Sequence, residues 1–471
     1  MLSTMSVRGF RSSAVEACYT ARALYSSVPD VNHSSVHSTS KDSVSTPEQE
    51  KHMYKYTRAH VGKAITPFSD VVISHASGTH VTTMDGRRYL DFTSGIGVVN
   101  TGHCHPKVVK AAQEQTGKII HSQVNIFSSE IMGDLITPLL EVMPDPSLDS
   151  FIFWNSGAES VESAIKLARS VTRKNNVIVS HGGYHGRTFG TMALTTSKTV
   201  YSAGFGPTVP GVFVTPFPYE RQVPAHSHSD MTSYCLESLE LLFKQQTAAE
   251  DTCAIIMEPV LGEGGYVAPP PDFLKEVKRM AKERDVLFIA DEVQTGFGRT
   301  GKMFAVENFD VVPDIMVMAK GLASGFPLSA IVSRKELMDK QVVGSMGGTY
   351  AGNAVACAAA KATLEVFREE KLLENVNARG EQMRTALRKM QEKYPIHDVR
   401  GLGLMIGLEF NKDVPANTAK QVTVECLNRG MMLLNTSVFE TVRFIPPLTV
   451  SAGEVDEAME IFEDALKTVF N

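Results

Sequence analysis

The sequence predicts an α/β fold, with a large domain around a mainly parallel sheet and a second, smaller α+β domain. Short apolar runs recur from about residue 150 onward, and such runs are typical of strands buried on both faces of a parallel sheet. Helical spacing occupies some of the gaps, as in the segment from Val161 to Ala168, where apolar residues stand at i, i+3, i+4 and i+7. The part from residue 371 onward mixes short strands with helices, which indicates the second domain.

The predicted strands of the large sheet are Phe151–Trp154, Val177–Ser180, Ala254–Met257, Val286–Ala290, Ile315–Ala319 and Ser329–Val332. Further predicted elements are helices at 352–369, 373–391 and 453–469 and strands at Leu404–Phe410 and Val442–Ile445. Residues 51–100 are expected to hold short strands and turns, because Asp85-Gly86 is a hairpin signal inside Val81–Asp91.

The chain has 471 residues, of which 43% are hydrophobic and 21% charged, so a wholly disordered protein is excluded. The net charge of −6 provides no attraction for nucleic acid or for an anionic membrane. No apolar run reaches about 18 residues, so no transmembrane helix is expected. The six cysteines form no CxxC pair, which argues against a zinc site and favours free thiols in a reducing compartment.

The first 28 residues carry Arg8, Arg11 and Arg22 against a single acid, Glu16, and are rich in serine. This composition is typical of a mitochondrial transit peptide and predicts a location in the mitochondrial matrix. The alternative is an N-terminal tail that carries no targeting signal, on a cytoplasmic protein. Residues 29–50 are polar and predict a linker.

Polar motifs follow several predicted strands. Asn155–Glu159 stands between a strand and a helix, where free N–H groups and the helix dipole can hold a phosphate; an ordinary capped helix is the alternative. Asp291 ends a strand, where ligands bind in open α/β sheets, although a helix cap or a metal ligand fits the same position. Lys320 also follows a strand, and poor solvation there makes an amine nucleophilic; a lysine that reaches solvent at the sheet rim is the alternative.

Two glycine-rich segments add an aromatic ring and three charges. In Gly182–Thr188, Tyr184 can stack on a planar cofactor and Arg187 can bind a carboxylate bidentately. The other segment, Glu258 to Gly265, has two acids, Glu258 and Glu263, around a turn at a strand end. A loop away from any site and a plain surface turn are the respective alternatives.

In this order, the motifs make the sequence resemble the class III (subgroup II) pyridoxal-phosphate-dependent aminotransferases of fold type I. The resemblance runs from about residue 60 to the C-terminus, and within the family the chain is most similar to the 4-aminobutyrate aminotransferases of bacterial type. The segments that carry the resemblance are Asn100–His103 with Pro106, Asn155–Glu159, Tyr184–Thr188, Glu258–Gly265, Asp291–Gly298, Ala319–Gly321 and Gly348–Asn353. The closer similarity rests on Gly95–Gly97, Gly262–Gly265 and Arg443 within Val442–Thr449.

The resemblance implies the domain plan and the assembly. A large cofactor-binding domain occupies residues 101–370, and the small domain is built from both chain ends, residues 51–100 and 371–471. The protein is a homodimer with shared active sites, and its ligands are an amino donor and a 2-oxo acid acceptor.

The implied cofactor is pyridoxal 5'-phosphate. Lys320 forms a Schiff base with it and moves the proton of the reaction. Asp291 keeps the pyridine nitrogen protonated, and Gln294 binds the phenolic oxygen. By the same resemblance, Tyr184 and Val293 contact the ring. The phosphate is bound by Ser156, Gly157 and Ala158 and by Thr349 from the other subunit. His185 and Glu258 are further implied cofactor contacts.

The implied reaction moves the amino group of 4-aminobutyrate to 2-oxoglutarate by a ping-pong mechanism, with succinate semialdehyde and glutamate as products. Arg187 binds the distal carboxylate of both amino acids, and Arg443 binds the α-carboxylate of glutamate. When 4-aminobutyrate is bound, an unpaired buried arginine is unfavourable by on the order of several kcal/mol, so Glu263 neutralises Arg443 and swings away for glutamate. Ile96 supplies an apolar wall.

Two alternatives use the same cofactor. An acetylornithine or ornithine-type ω-aminotransferase has the same Tyr184–Thr188 pattern, so Arg187 does not distinguish it, whereas Ile96 and Glu263 favour 4-aminobutyrate. A fold type I mutase or lyase needs neither the Arg443–Glu263 pair nor 2-oxoglutarate. Residues 435–441 lack the glycine expected in 4-aminobutyrate aminotransferases, which leaves the substrate length open.

Overall fold

The computed structural model describes residues 44–470. The predicted transit peptide, residues 1–28, and residues 29–43 of the predicted linker lie outside the described residues. The described chain forms two compact units, residues 44–70 with 84–86 and residues 71–83 with 87–470. The domain boundaries at residues 100 and 370 stay predictions.

The first unit contains helix α1 (Pro47–His60). Thr46 and Gln49 form a capping box, in which each side chain accepts a hydrogen bond from the other residue's backbone N–H, and Pro47 suits the first helical position. The expectation of strands and turns is therefore wrong for residues 51–60, because this cap starts a helix inside the segment predicted to be a linker.

The second unit contains the strands and the remaining helices. The strands are β1 (Ile73–Ser77), β2 (His80–Thr83), β3 (Arg88–Asp91), β4 (Ser150–Trp154), β5 (Asn176–Ser180), β6 (Val212–Thr215), β7 (Thr252–Met257), β8 (Leu287–Asp291), β9 (Ile315–Met318), β10 (Ser329–Ser333), β11 (Ile396–Leu402), β12 (Met405–Phe410), β13 (Met431–Met432), β14 (Leu434–Thr436) and β15 (Thr441–Phe444). The helices are α2 (Pro106–Thr116), α3 (Glu130–Val142), α4 (Gly157–Thr172), α5 (Phe189–Leu194), α6 (Met231–Gln245), α7 (Phe273–Glu283), α8 (Lys335–Met338), α9 (Ala354–Glu369), α10 (Leu372–Gln391), α11 (Thr418–Asn428) and α12 (Ala452–Phe470). Short 3₁₀ turns occur at Thr199–Tyr201, Ala225–Asp230, Ala305–Asn308 and Lys320–Ala323.

The large sheet has seven strands in the order β4-β10-β9-β8-β7-β5-β6. Strand β10 is antiparallel to both of its neighbours, β4 and β9, and the other strands run parallel to one another. Residues 319–328 connect β9 to β10, which is too short a segment for a helical crossover, so β10 has to return antiparallel. The prediction of a mainly parallel sheet is confirmed.

Two four-stranded sheets accompany the large one. The first of these sheets has the strand order β1-β2-β3-β13. In it, β13 from the C-terminal part of the chain pairs in parallel with β3 from the N-terminal part. Strands β2 and β3 form the predicted antiparallel pair on either side of Asp85-Gly86. The other sheet, β11-β12-β15-β14, is antiparallel and carries Arg443 on β15.

The large sheet is buried on both faces. Along β7, Ile255 and Met257 belong to one apolar cluster, whereas Ile256 between them belongs to another on the opposite face. All six residues of β7 are buried, which explains why this strand is a continuous apolar run in the sequence.

Close backbone packing positions α10. A Cβ on Gly380, in the interior of this helix, would stand 2.2 Å from the carbonyl oxygen of Gly403, in the turn between β11 and β12. Glycine therefore lets α10 lie directly on that turn.

Gly380→Ala is expected to lower the free energy of unfolding by about 1–3 kcal/mol, because the new Cβ meets backbone that cannot rotate away. The matched control is Gly133→Ala in α3, an exposed position where an added Cβ has no atom within 4 Å. There alanine is expected to raise stability by about 0.5–1 kcal/mol. Thermal unfolding measures both, and equal stability of the two variants would contradict the close packing of α10.

Candidate active site

Nine of the fifteen predicted site residues line a cavity of about 440 Å³ at the carboxyl edge of the large sheet. Strands β4, β5, β8 and β9 run in the same direction, so the segments that follow them reach the same edge. The predicted residues that line the cavity are Ser156, Gly157, Ala158, Tyr184, His185, Arg187, Asp291, Val293 and Lys320.

The N-terminus of α4 lines this cavity. Ser156 caps the helix: its Oγ accepts from the N–H of Glu159 at 3.3 Å, and the Glu159 carboxylate accepts from the N–H of Ser156 at 2.9 Å. The N–H groups of Gly157 and Ala158 stand in the first turn, where no helical carbonyl is available to them. A Cβ on Gly157 would lie 2.9 Å from Cγ1 of Val293, so glycine is needed for this close approach. The helix end can therefore bind an anion such as a phosphate.

Asp291, at the end of β8, forms a buried pair with His185. The distance from His185 Nδ1 to one Asp291 oxygen is 2.7 Å, and the other oxygen accepts from the N–H of Val293 at 3.0 Å. Burial opposes the charged imidazole, but the hydrogen bond and the charge of Asp291 outweigh burial and raise the pKa of His185. Hydrogen bonds thus hold both Asp291 oxygens beside the cavity, where the carboxyl group can pair with a protonated ring nitrogen.

Lys320 follows β9 and starts a 3₁₀ turn, with φ at +44°. Burial lowers the pKa of its amine to about 8. A fraction of the amine is therefore neutral near pH 7, which suits a nucleophile or a general base.

These residues fit pyridoxal 5'-phosphate. The α4 terminus suits the phosphate, Asp291 suits the pyridine nitrogen, and Lys320 suits the aldehyde. Gln294 is buried, and its Oε1 has no hydrogen-bond partner within residues 44–470, so its amide remains available to a polar ligand atom.

Glu258 connects two loops of the site. Its carboxylate accepts from the N–H of Tyr184 at 2.8 Å and from the N–H of Gly262 at 2.9 Å. Burial raises its pKa to about 7. Glu258 therefore holds the Tyr184 loop against the turn that carries Glu263.

Glu263 and Arg443 form a buried ion pair between that turn and β15. Burial alone raises the pKa of Glu263, but the charge and hydrogen bond of Arg443, with the charge of Lys198, lower it to about 2. Each charge thus depends on the other, because an unpaired ion in this position is strongly unfavourable. The structure brings together the two residues predicted to select substrates.

Arg187 is packed against two aromatic rings. Its Nε donates to the Tyr184 hydroxyl at 3.0 Å, and its guanidinium carbon stands 4.6 Å from the centre of the Tyr201 ring. The cation–π contact holds the side chain on one side, while the residue remains exposed and can receive a carboxylate.

Two residues that lie beside Glu263 were not predicted from the sequence as part of the site. The amine of Lys198 lies 3.7 Å from Glu263, and the Tyr201 hydroxyl lies 3.4 Å from the same carboxylate oxygen. Both follow Arg187 by more than ten residues in a polar segment with no recognisable motif. The one signal was the lysine itself, in an otherwise uncharged stretch from residue 188 to residue 219.

Two predicted residues are exposed on this chain. Ile96 is 39% exposed and adopts φ +66°, in a turn that the Ser94 hydroxyl attaches to the backbone carbonyl of Ile445 at 2.6 Å. Thr349 is exposed, and it is not one of the residues between 44 and 470 that line the cavity of this chain.

A search against family models matches residues 61–466 to class III aminotransferases. A 5-aminovalerate aminotransferase of Pseudomonas putida is 39% identical over 417 residues, covering 87% of this chain and 97% of the relative. The Escherichia coli 4-aminobutyrate aminotransferase is 37% identical over 408 residues, with 85% and 94% covered. An acetylornithine aminotransferase of Caldanaerobacter subterraneus is 36% identical over 409 residues, with 85% and 95% covered.

Solved structures agree with these relatives. A PLP-bound amine transaminase from an uncultivated Pseudomonas species has a TM-score of 0.81 at 28% identity, covering 87% of this chain and 98% of that one. The ornithine aminotransferase of Toxoplasma gondii has a TM-score of 0.79 at 29% identity, covering 89% and 95%. Among residues 44–470, no helix combines the length and apolar character needed to cross a membrane. The chain belongs to the class III aminotransferases of fold type I, and its cofactor is pyridoxal 5'-phosphate.

Proposed function

We propose that this aminotransferase takes its amino group from a linear ω-amino acid, with 4-aminobutyrate as the first candidate, and passes it to 2-oxoglutarate in a ping-pong cycle. The products are succinate semialdehyde and glutamate. The buried Glu263–Arg443 pair carries this proposal, because it lets one pocket accept a donor that lacks an α-carboxylate. The 5-aminovalerate and 4-aminobutyrate relatives support the same class of donor.

The bound cofactor supplies an electron sink that acidifies the C–H bond next to the substrate nitrogen. Lys320, with its lowered pKa, takes up and returns that proton. Asp291 would pair with the ring nitrogen, and His185 holds the Asp291 carboxyl group in place through the 2.7 Å hydrogen bond. Tyr184 and Val293 would hold the ring, Ser156, Gly157 and Ala158 would bind the phosphate, and Gln294 and Glu258 would supply further contacts.

Different residues bind the distal carboxylate and the α-carboxylate of the substrates. Arg187 binds the distal carboxylate of each substrate. Arg443 binds the α-carboxylate of glutamate or 2-oxoglutarate after Glu263 has moved away, and Ile96 supplies the apolar wall. An acetylornithine-type donor remains the second candidate, because such an enzyme is 36% identical. The named relatives are aminotransferases, which favours amino transfer over a mutase or lyase reaction.

The proposed assembly is a homodimer in which Thr349 reaches the phosphate of the partner's site. An exposed apolar surface supports it, formed by Ile119, Ile120, Ile126, Phe127, Val342, Val343 and Tyr350. The two segments of this surface adjoin one another, since the Asn353 amide donates to the carbonyl of Ile120 at 3.0 Å and the Tyr350 ring lies 5.5 Å from that of His121. Such a patch marks an interface. For residues 1–28, mitochondrial targeting also remains a proposal, supported by composition alone.

The direct test mixes the holoenzyme with 4-aminobutyrate, 5-aminovalerate, acetylornithine or ornithine in the absence of an acceptor. The absorbance of the cofactor is expected to change fastest with 4-aminobutyrate and to recover with 2-oxoglutarate. Faster conversion by acetylornithine or ornithine would show that the donor is of the acetylornithine or ornithine type and not 4-aminobutyrate.

Lys320→Ala is expected to slow both half-reactions by about 10²–10⁴-fold, because the proton carrier is lost. Lys302→Ala removes an exposed lysine that does not line the cavity and serves as the control, with unchanged rates. Stopped-flow absorbance measures both variants, and near-normal turnover by Lys320→Ala would remove this lysine from the mechanism.

Glu263→Ala is expected to reduce kcat/KM for 4-aminobutyrate relative to glutamate by about tenfold or more, because Arg443 then stays unpaired when the donor lacks an α-carboxylate. Glu263→Asp keeps the charge and is expected to change the ratio by about threefold or less. An unchanged ratio in Glu263→Ala would show that this carboxylate does not select between the two substrates.

Val343→Asp is expected to raise the dissociation constant of the dimer by about tenfold or more, since Val343 is fully exposed in the apolar patch. Val424→Asp on α11 is the control, a partly exposed valine outside that patch, and is expected to leave the dimer intact. Analytical ultracentrifugation gives the association state, and a monomeric parent protein would contradict the proposed assembly.

A further inference from the structure

The Glu263 carboxylate contacts a different group with each of its oxygens. One oxygen pairs with Arg443, and the other lies 3.7 Å from the Lys198 amine and 3.4 Å from the Tyr201 hydroxyl. The Lys198 side chain is 25% exposed and that of Glu263 is 11% exposed, so both lie largely out of water. Glu263 therefore stands between two cations.

The backbone of Glu263 is held in place. Its carbonyl accepts from the Ser437 N–H at 3.0 Å and from the Thr436 hydroxyl at 3.1 Å, and the Ser437 hydroxyl donates to the carbonyl of Gly264 at 3.0 Å. On the other side, the N–H of Gly262 is bound to Glu258. These bonds restrict the movement of Glu263 to rotation of its own side chain.

The segment 435–441, which lacks the glycine expected in 4-aminobutyrate aminotransferases, contains Ser437. This residue adopts φ +66°, the left-handed conformation that favours glycine, and its buried hydroxyl contributes one of the bonds to the Glu263 turn. This segment therefore acts on the pocket by fixing the turn that carries Glu263.

A substrate α-carboxylate that takes Arg443 leaves Glu263 without its partner. A buried carboxylate that loses its arginine is strongly unfavourable unless another cation compensates its charge. Besides Arg443, Lys198 forms an ion pair with Glu263, at 3.7 Å, and the charges of Lys320 and Arg187 also interact with that carboxylate. Burial lowers the pKa of Lys198, and the charge of Glu263 opposes that shift.

We propose that Lys198, assisted by Tyr201, is the second position of the Glu263 carboxylate and so determines how well the site accepts substrates with an α-carboxylate. This rests on the proposed function, because it deepens the exchange of Glu263 for that carboxylate. Arg187 remains the ligand of the distal carboxylate, since its guanidinium lies over the Tyr201 ring and its Nε binds Tyr184. Lys198 thus acts on the substrate through Glu263.

The test is Lys198→Met in the holoenzyme, with Lys198→Arg as the conservative variant. The ligands are 2-oxoglutarate, which has both carboxylates, and valerate, which has the distal one alone. Calorimetric titration is expected to show 2-oxoglutarate binding weakened by about tenfold or more and valerate binding changed by less than about twofold, with Lys198→Arg close to the parent.

The same substitution in the Glu263→Ala background separates the mechanism from a general disturbance. There Lys198→Met is expected to have no further effect on 2-oxoglutarate, because no carboxylate needs a second partner. Equal weakening of both ligands would make Lys198 a ligand of the distal carboxylate and overturn the proposal, as would an undiminished effect in the Glu263→Ala background. Failure of the parent enzyme to convert ω-amino acids would overturn the proposed donor, whereas the 2-oxoglutarate titrations would still decide the role of Lys198.

Discussion

The constraint on which the site depends is the common direction of β4, β5, β8 and β9 in a sheet buried on both faces. Since parallel strands end at one edge, residues separated by more than a hundred positions, such as Gly157 and Lys320, line one cavity. Each contributes what its location provides: the helix start supplies free N–H groups, and the strand ends supply poorly solvated charges. The antiparallel β10 does not disturb this arrangement, because it points its own carboxyl end away.

Two buried acid–base pairs lie among the predicted site residues. In the first, His185 is hydrogen-bonded to Asp291, which raises the pKa of the imidazole. The Glu263–Arg443 pair is suited to exchange, because substrate can supply an equivalent carboxylate. In the proposed mechanism, Lys198 beside Glu263 compensates the charge that would otherwise be left bare in the protein interior.

The large sheet and most of its strands could be predicted because buried parallel strands are continuous apolar runs, and the observed ends differ from the predicted ones by at most two residues. Asp291 and Lys320 were predicted for the same reason, since a charged residue directly after such a run is conspicuous. Helix α1 was missed because its start, at Thr46, lies in a polar segment. Lys198 was missed because its proximity to Glu263 arises from two loops 65 positions apart.

The sequence by itself determined the fold class, because apolar runs and helical spacing are local patterns. The family and the cofactor followed from the resemblance of its motifs to those of known aminotransferases. The tertiary structure decided which charges become partners. The packing of separate loops places Glu263 between Arg443 and Lys198. It also lets Glu258 bind two backbone N–H groups and lets Ser437 hold the Glu263 turn. The physical reason is that electrostatic pairing depends on distance and burial, which no single stretch of residues specifies.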